Sequence, residues 1–176
     1  MRILVAGVGN IFFGDDAFGS EVARRLLADP GALPPEVDVV DVGIRGMHLA
    51  YQMLDGYEVL VVVDAAPPRD DTAEREPGTL TLVEHDLGAA TGDAAFDPHG
   101  MEPDAVLDLV AALARGVGTG GVGRVLVLGC VPGHVGPGMG LSAPVAAAVD
   151  EAVGAVGRIV ERLIEHRPFT ESGEPR

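Results

Sequence analysis

The stretch Val5–Gly19, VAGVGNIFFGDDAFG, decides the fold, because an apolar run breaks into closely spaced glycines and then leads into helical periodicity. The β-branched apolar residues before the glycines predict a buried strand over Arg2–Ala6. The apolar spacing after them predicts a helix over about Asp16–Ala28. A strand, a turn and a helix in this order are typical of the α/β class. The predicted inward face of the helix consists of Phe18, Val22, Ala23, Leu26 and Leu27.

Two features separate this turn from a phosphate-binding loop. The GVG motif begins like a dinucleotide fingerprint, but Phe12 stands where that fingerprint needs its third glycine. Two adjacent aspartates, Asp15 and Asp16, then follow in place of a phosphate cradle. A dinucleotide-binding oxidoreductase stays an alternative, because Asp41 at the end of the second predicted strand could serve as a ribose-binding carboxylate.

Four further segments complete a predicted five-stranded sheet. The third strand contains VLVVV, a continuously apolar run that is typical of a parallel strand covered by helices on both faces. The fourth strand alternates in hydrophobicity and is bordered by polar loops, which favours an edge position. Strands two to five are predicted over Val37–Val42, Glu58–Val63, Thr79–His85 and Arg124–Cys130.

Three more helices are predicted between and after these strands. One is short and covers Gly46–Leu54, and another starts near Pro103 and ends near Arg115. The last helix is long, with Ser142 as its expected cap and Pro144 in its first turn.

Composition limits the partners of the chain. Its 176 residues, 47% of them hydrophobic, suit one α/β domain, which we place over residues 1–167 with a flexible tail over 168–176. The formal net charge of -15 disfavours binding to nucleic acid or to an anionic membrane surface. The apolar start is too short for a signal peptide, and the single cysteine, Cys130, fits a reducing compartment, so we expect a cytoplasmic protein.

Acidic residues and a histidine are predicted to meet at one edge of the sheet. Asp15 and Asp16 follow the first strand, and Asp64 is the first polar residue after the third strand. Ligands of open α/β sheets bind at the carboxyl ends of the parallel strands, so these carboxylates converge if the two strands are neighbours. His99, just ahead of a predicted helix, is the nitrogen donor best placed to join them.

This donor set allows two kinds of chemistry and one structural interpretation. It suits a divalent metal such as zinc or nickel, or an acid/base pair with a helper. Alternatively, either adjacent aspartate could cap the following helix, and Asp64 could cap a turn. No HExxH, GxSxG or CxxC motif supports a zinc protease helix, a serine hydrolase or a thiolate metal cage. We interpret Cys130 as a small buried residue and Glu102 as a helix-start residue.

Four motifs stand in order along the chain: GVGNIFFGDDAFG, VVVDAA, DPHGM and GMGLSAPV. Together they resemble the hydrogenase maturation endopeptidases, which remove a C-terminal extension from the large-subunit precursor of nickel-iron hydrogenases. The resemblance extends from about Arg2 to Leu163, and the order and spacing of the motifs make it specific.

The resemblance implies a fold and a site. The fold is a three-layer α/β/α sandwich of the phosphorylase/hydrolase-like type, with a mostly parallel, twisted five-stranded sheet. The site is a metal site made of Asp16, Asp64 and His99, in which Asp16 and Asp64 are also the catalytic carboxylates of an aspartyl-type endopeptidase. The substrate-binding residues implied for the glycine-bearing VGIRG loop are Gly43, Arg45 and Gly46.

The resemblance also implies a source for the metal and a partner. No metal is expected to stay bound, because nickel arrives already inserted in the hydrogenase large-subunit precursor; cadmium or zinc could occupy the same site. A monomer is expected. Nickel either polarises the scissile carbonyl or only anchors the precursor, in which case Asp16 or Asp64 is the general base. A nickel-checking chaperone that leaves the peptide intact is the first rival function.

Overall fold

Five strands form one sheet in the computed structural model, which describes residues 1–44, 49, 52, 55–66, 75–85 and 122–166. The strands are β1 (Ile3–Val8), β2 (Val37–Gly43), β3 (Val59–Ala65), β4 (Leu80–His85) and β5 (Arg124–Cys130). They lie side by side in the order β2-β1-β3-β5-β4.

The sheet is parallel except at one edge. β1 pairs in parallel with β2 on one side and with β3 on the other, and β5 pairs in parallel with β3. β4 pairs antiparallel with β5 and lies at the edge. The predicted five-stranded, mostly parallel sheet and the edge position of its fourth strand are confirmed. Because β1 and β3 are neighbours, with Gly7 paired to Val63, their carboxyl ends reach the same edge.

Two helices in the described ranges, α1 (Phe18–Ala28) and α2 (Ala143–Ile164), pack against each other and against one face of the sheet. A 3-10 turn over Asp15–Ala17 precedes α1, so the α-helix begins later than predicted. The predicted inward face of α1 is wrong only for Leu27, which is 51% exposed because it lies about half a turn around the helix from Phe18. Among the described residues, no helix is long and apolar enough to span a membrane.

The opposite face of the sheet is buried as well. Leu4, Leu60 and other alternate residues of the central strands form a second apolar cluster there. Leu49, within the predicted helix over 46–54, is helical, fully buried and part of this cluster. Most of that segment and the predicted helix over 103–115 lie outside the described residues. Burial on both faces explains why VLVVV is apolar throughout and is typical of a three-layer α/β fold.

Glycines bring the start of α1 close to the strand ends. A Cβ at Gly19 would collide with the carbonyl oxygens of Val8 and Val63, so α1 lies directly on the ends of β1 and β3. Gly9 has a φ of 150°, and a Cβ there would collide with the carbonyl oxygen of Asp16. A side chain at Gly19 would push the start of α1 away from the strand ends, and a side chain at Gly9 would push the 3-10 turn away.

Gly19→Ala should therefore destabilise the protein by about 3 kcal/mol or more, because the obstructing atoms are backbone atoms that cannot move aside. Gly157→Ala in α2 is the matched control, since nothing lies within 4 Å of its new Cβ. The control should stabilise the protein by up to about 1 kcal/mol. Urea unfolding followed by circular dichroism measures both, and equal effects would contradict the close approach of α1.

Candidate active site

Asp16 and Asp64 lie together at the carboxyl ends of β1 and β3. Asp16 belongs to the 3-10 turn, which packs against β3. Asp64 lies one residue before the end of β3 and pairs with Gly129 of β5. The prediction that Asp64 follows its strand is wrong, because the parallel pairing with β5 extends β3 through Ala65.

Asp64 is a buried acid, with only 4% of its surface exposed. Burial, and then the negative charge of Asp16, raises the pKa of Asp64 to about 8, and the backbone amide of Ala65 offsets only part of this rise. The two carboxylates are therefore close enough to repel each other. A cation that touched both would relieve this repulsion, so the pair has the chemistry of a cation site.

One oxygen of the Asp16 carboxylate is held by the loop before it. Asp16 Oδ2 accepts a hydrogen bond from the Asn10 N–H at 2.9 Å, which closes the loop over residues 10–16. Asn10 Oδ1 in turn accepts a hydrogen bond from the Phe12 N–H at 3.0 Å. Neither Asp16 nor its neighbour caps the helix, since the N-cap position of α1 is Ala17 and no side chain caps it. The interpretation of the two aspartates as caps is wrong.

Asp15 is directed into the protein and is fully buried. Its carboxylate accepts hydrogen bonds from the N–H groups of Gly133, His134 and Ser142 at 2.7, 2.8 and 2.6 Å, and from Ser142 Oγ at 2.7 Å. Burial by itself raises the pKa of Asp15, but these hydrogen bonds, led by those from Ser142, outweigh it and leave the pKa below its ordinary value. We call this group the Asp15 clamp; it ties the loop between β5 and α2 to the 3-10 turn.

Ser142 takes the N-cap position of α2, as predicted, but its hydroxyl does not cap the helix. The hydroxyl donates a hydrogen bond to Asp15, and this charge-assisted bond fixes its orientation. Pro144 in the first turn lacks an N–H and reduces the need for a cap. No local signal in the sequence indicates this pairing, since 127 residues separate the two side chains.

A second hydrogen-bonded group holds the end of β2. Buried Ser20 of α1 donates to Asp41 Oδ1 at 2.8 Å, and the same oxygen accepts a hydrogen bond from the Gly43 N–H at 3.1 Å. Gly43, with a φ of 55°, accepts a hydrogen bond from the Gly9 N–H at 3.1 Å. The start of the VGIRG loop therefore lies beside the glycine turn after β1. Asp41, considered as a ribose ligand, is engaged in this local network.

The remaining predicted site residues, Arg45, Gly46 and His99, lie outside the described residues. Within the described ranges, no three His, Cys, Asp or Glu side chains gather as metal ligands. This part of the chain therefore contributes a pair of carboxylates, whose oxygens suit a divalent cation but leave most of its coordination to other groups. Cys130 is fully buried, which confirms its interpretation as a small buried residue, and burial and then the charge of Asp15 raise its pKa to about 11.

The chain is similar to known proteases along most of its length. The family model described as HycI, hydrogenase maturation protease, matches residues 21–159. A putative hydrogenase maturation protease of Methanocaldococcus jannaschii is 32% identical over 158 residues, which are 86% of this chain and 91% of that protein. The hydrogenase 2 maturation protease of Escherichia coli is 31% identical over 154 residues, 87% of each chain.

The fold is shared as well. The structure of the hydrogenase maturating endopeptidase HybD from Escherichia coli matches with a TM-score of 0.68 over 94% of each chain, at 27% identity. Fold and relatives together define a hydrolase, a protease built on a mostly parallel α/β sheet. The chain belongs to the hydrogenase maturation protease family.

Asp64 should make the free energy of unfolding depend on pH. Its pKa is about 8 in the folded protein and about 4 in an unfolded chain, so the folded state binds the proton more tightly. Stability should fall as the pH rises between these two values, by at most about 1.4 kcal/mol per pH unit, and then level off.

Asp64→Asn should remove this dependence and be more stable than the wild type at a pH of about 8, the pKa of the buried acid. Urea unfolding at a series of pH values measures the effect. Asp150→Asn changes a carboxylate whose side chain is 84% exposed and serves as the control. An Asp64→Asn variant with the same pH slope as the wild type would contradict the buried-charge account.

Asp15→Asn should destabilise the protein by about 2–4 kcal/mol, because an amide would replace an acceptor of four hydrogen bonds and weaken the Asp15 clamp. Since the pKa of Asp15 is lowered in the folded state, its stabilising effect is present at neutral pH and is lost as the pH falls below about 4. Urea unfolding at neutral and acidic pH measures this. A loss below about 0.5 kcal/mol at neutral pH would show that the clamp contributes little.

Proposed function

We propose that the protein removes a C-terminal extension from the large-subunit precursor of a nickel-iron hydrogenase after nickel has been inserted. Its membership in the maturation protease family supports the proteolytic activity. The carboxylate pair Asp16 and Asp64 is the observation that supports the role of the metal, because it lies at the edge where α/β proteins bind ligands. We expect a cytoplasmic monomer; the single cysteine supports the compartment, and the family resemblance supports the oligomeric state.

The nickel is part of the substrate in this proposal, and the free protein keeps none. Asp16 and Asp64, with His99 as the proposed third ligand, complete the coordination of a nickel ion that the precursor already holds. In the free protein, the burial of Asp64 and its repulsion by Asp16 are both unfavourable, and a divalent cation offsets them. A precursor without nickel brings no such compensation, so recognition of the metal also sets the timing of cleavage.

For the cleavage step, we favour a carboxylate of the pair as the general base and nickel as the anchor of the substrate. The ionised carboxylate takes a proton from a water molecule, whose oxygen attacks the scissile carbonyl carbon. When the C–N bond breaks, the proton passes from the carboxyl group to the departing amine. The position of the pair supports this assignment, because Asp16 and Asp64 lie at the carboxyl ends of β1 and β3, where the proposed nickel would hold the precursor.

The VGIRG loop is proposed to contact the precursor beside this site, through Gly43, Arg45 and Gly46. The hydrogen bond between the Gly9 N–H and the Gly43 carbonyl supports this position, because it joins the start of the loop to the glycine turn that leads to Asp16.

Substitution of the proposed ligands should stop processing while the fold is retained. Asp16→Asn and Asp64→Asn keep the shape of the side chain but remove its charge, and His99→Ala removes the nitrogen donor. Each should slow the cleavage of nickel-loaded precursor by about 100-fold or more. Mass spectrometry of the large subunit measures cleavage, and circular dichroism measures the fold. Asp150→Asn, in a surface ion pair with Arg25, should cleave as the wild type does.

Nickel-loaded and nickel-free precursors separate the proposal from its rivals. Cleavage of the loaded precursor alone would support recognition of the metal, whereas equal cleavage of both would contradict it. Nickel-dependent binding with no mass loss in either sample would favour a nickel-checking chaperone. Saturable binding of NADH would instead favour a dinucleotide-binding protein.

A further inference from the structure

Five apolar side chains are exposed beside the carboxylate pair. They lie on two loops, residues 10–16 after β1 and residues 131–142 after β5. Their exposed fractions run from 41% for Phe13 to 74% for Met139. We call this surface the apolar rim, and its members are Ile11, Phe12, Phe13, Val135 and Met139.

Backbone hydrogen bonds fix the two loops of the apolar rim to each other. The Gly138 N–H donates to the Phe12 carbonyl, and the Gly14 N–H donates to the Gly138 carbonyl, both at 2.9 Å. The Asp15 N–H donates to the His134 carbonyl at the same distance, in addition to the bonds of the Asp15 clamp. The apolar side chains are therefore displayed on an ordered backbone, and a surface prepared in this way loses little conformational entropy on binding.

The apolar rim differs in composition from the rest of the chain. The protein has a formal net charge of -15, yet NIFFG (residues 10–14) and VGPGMGL (residues 135–141) contain no charged residue. The chain has only five phenylalanines, and Phe12 and Phe13 are exposed here while Phe18 is fully buried in the core. Exposed aromatic and methionine side chains in an uncharged surface are typical of protein–protein contacts.

The apolar rim is continuous with the carboxylate site. Ile11, Phe12 and Phe13 form the tip of the same loop whose base is closed by the hydrogen bond between Asn10 and Asp16. A partner that reached Asp16 would approach it along this loop.

A cavity beside the apolar rim offers space for a side chain of such a partner. Ile11 and Met139 border it, and its volume is about 530 Å³. Its other walls are partly charged, through Glu21, Arg24, Arg25 and Asp41. A side chain of the partner inserted there would pack against Ile11 and Met139, in the arrangement of an interface anchor.

We propose that the apolar rim docks an apolar surface of the hydrogenase large-subunit precursor, next to the segment that is cleaved. This inference rests on the proposed function, which identifies the precursor as the substrate. The apolar rim contributes affinity for the folded precursor, and the carboxylate pair coordinates the nickel that the precursor holds.

The test compares rim and control variants on nickel-loaded precursor. The double variant Phe12→Ser and Met139→Ser should raise KM by about tenfold or more and change kcat by less than about twofold, because it removes binding and leaves the carboxylates in place. Leu27→Ser removes a leucine that is 51% exposed at the far end of α1, and it should behave as the wild type does. If thermal unfolding shows that the double variant is misfolded, Met139→Ser alone, at the most exposed rim position, is measured instead.

The possible outcomes separate this inference from the proposed function. An unchanged KM in the rim variant, with a wild type that cleaves the precursor, would overturn the docking surface and leave the proposed function intact. A wild type that binds the precursor through the rim without cleaving it would support the docking surface and contradict the proposed cleavage. A wild-type dimer in sedimentation that the double variant converts to a monomer would assign the rim to a second copy of the chain and overturn the inference.

Discussion

The buried carboxylate of Asp15 is the contact on which the rest of the site depends. It accepts hydrogen bonds from three residues of the loop between β5 and α2, and these bonds hold that loop against the 3-10 turn. With Asp15 directed inward, Asp16 is left at the edge of the sheet beside Asp64. The two adjacent aspartates therefore have different roles. Asp15 holds the loops of the site together, and Asp16 contributes its negative charge to the site. The apolar rim depends on the same clamp, since both of its loops meet there.

The surroundings of Asp64 reduce the stability of the isolated fold. Burial and the neighbouring charge of Asp16 raise its pKa to about 8, so an ionised Asp64 is an unfavourable feature of the isolated fold. Cys130, at the corresponding end of β5, is buried too, but as a neutral thiol, with its pKa raised to about 11. Residues that destabilise the fold and have strongly shifted pKa values are concentrated where proteins bind ligands or catalyse reactions. The contrast between these two strand ends distinguishes the candidate site from ordinary core.

Much of the fold could be predicted from sequence, because strands and helices leave periodic, local signals. The rule that ligands bind at the carboxyl ends of parallel strands also indicated the edge at which Asp16 and Asp64 lie. The hydrogen bonds that build the site could not be predicted, because Ser142 with Asp15 and Ser20 with Asp41 are distant pairs whose contact depends on tertiary packing. The placement of Asp64 inside its strand was missed for a related reason: pairing with β5, not local composition, sets the end of β3. The prediction that Asp15 or Asp16 caps the helix was wrong. The carboxylate of Asp15 accepts hydrogen bonds from three distant N–H groups instead of those of its own helix.

We propose that Asp16 and Asp64 share one divalent cation. Anomalous diffraction from crystals soaked in cadmium or nickel tests it directly, because the scattering locates the ion and its ligands without reference to catalysis. We expect one ion coordinated by both carboxylates, with His99 as a further ligand. Ions bound only at other surface carboxylates, with Asp16 and Asp64 contributing to none of them, would contradict it.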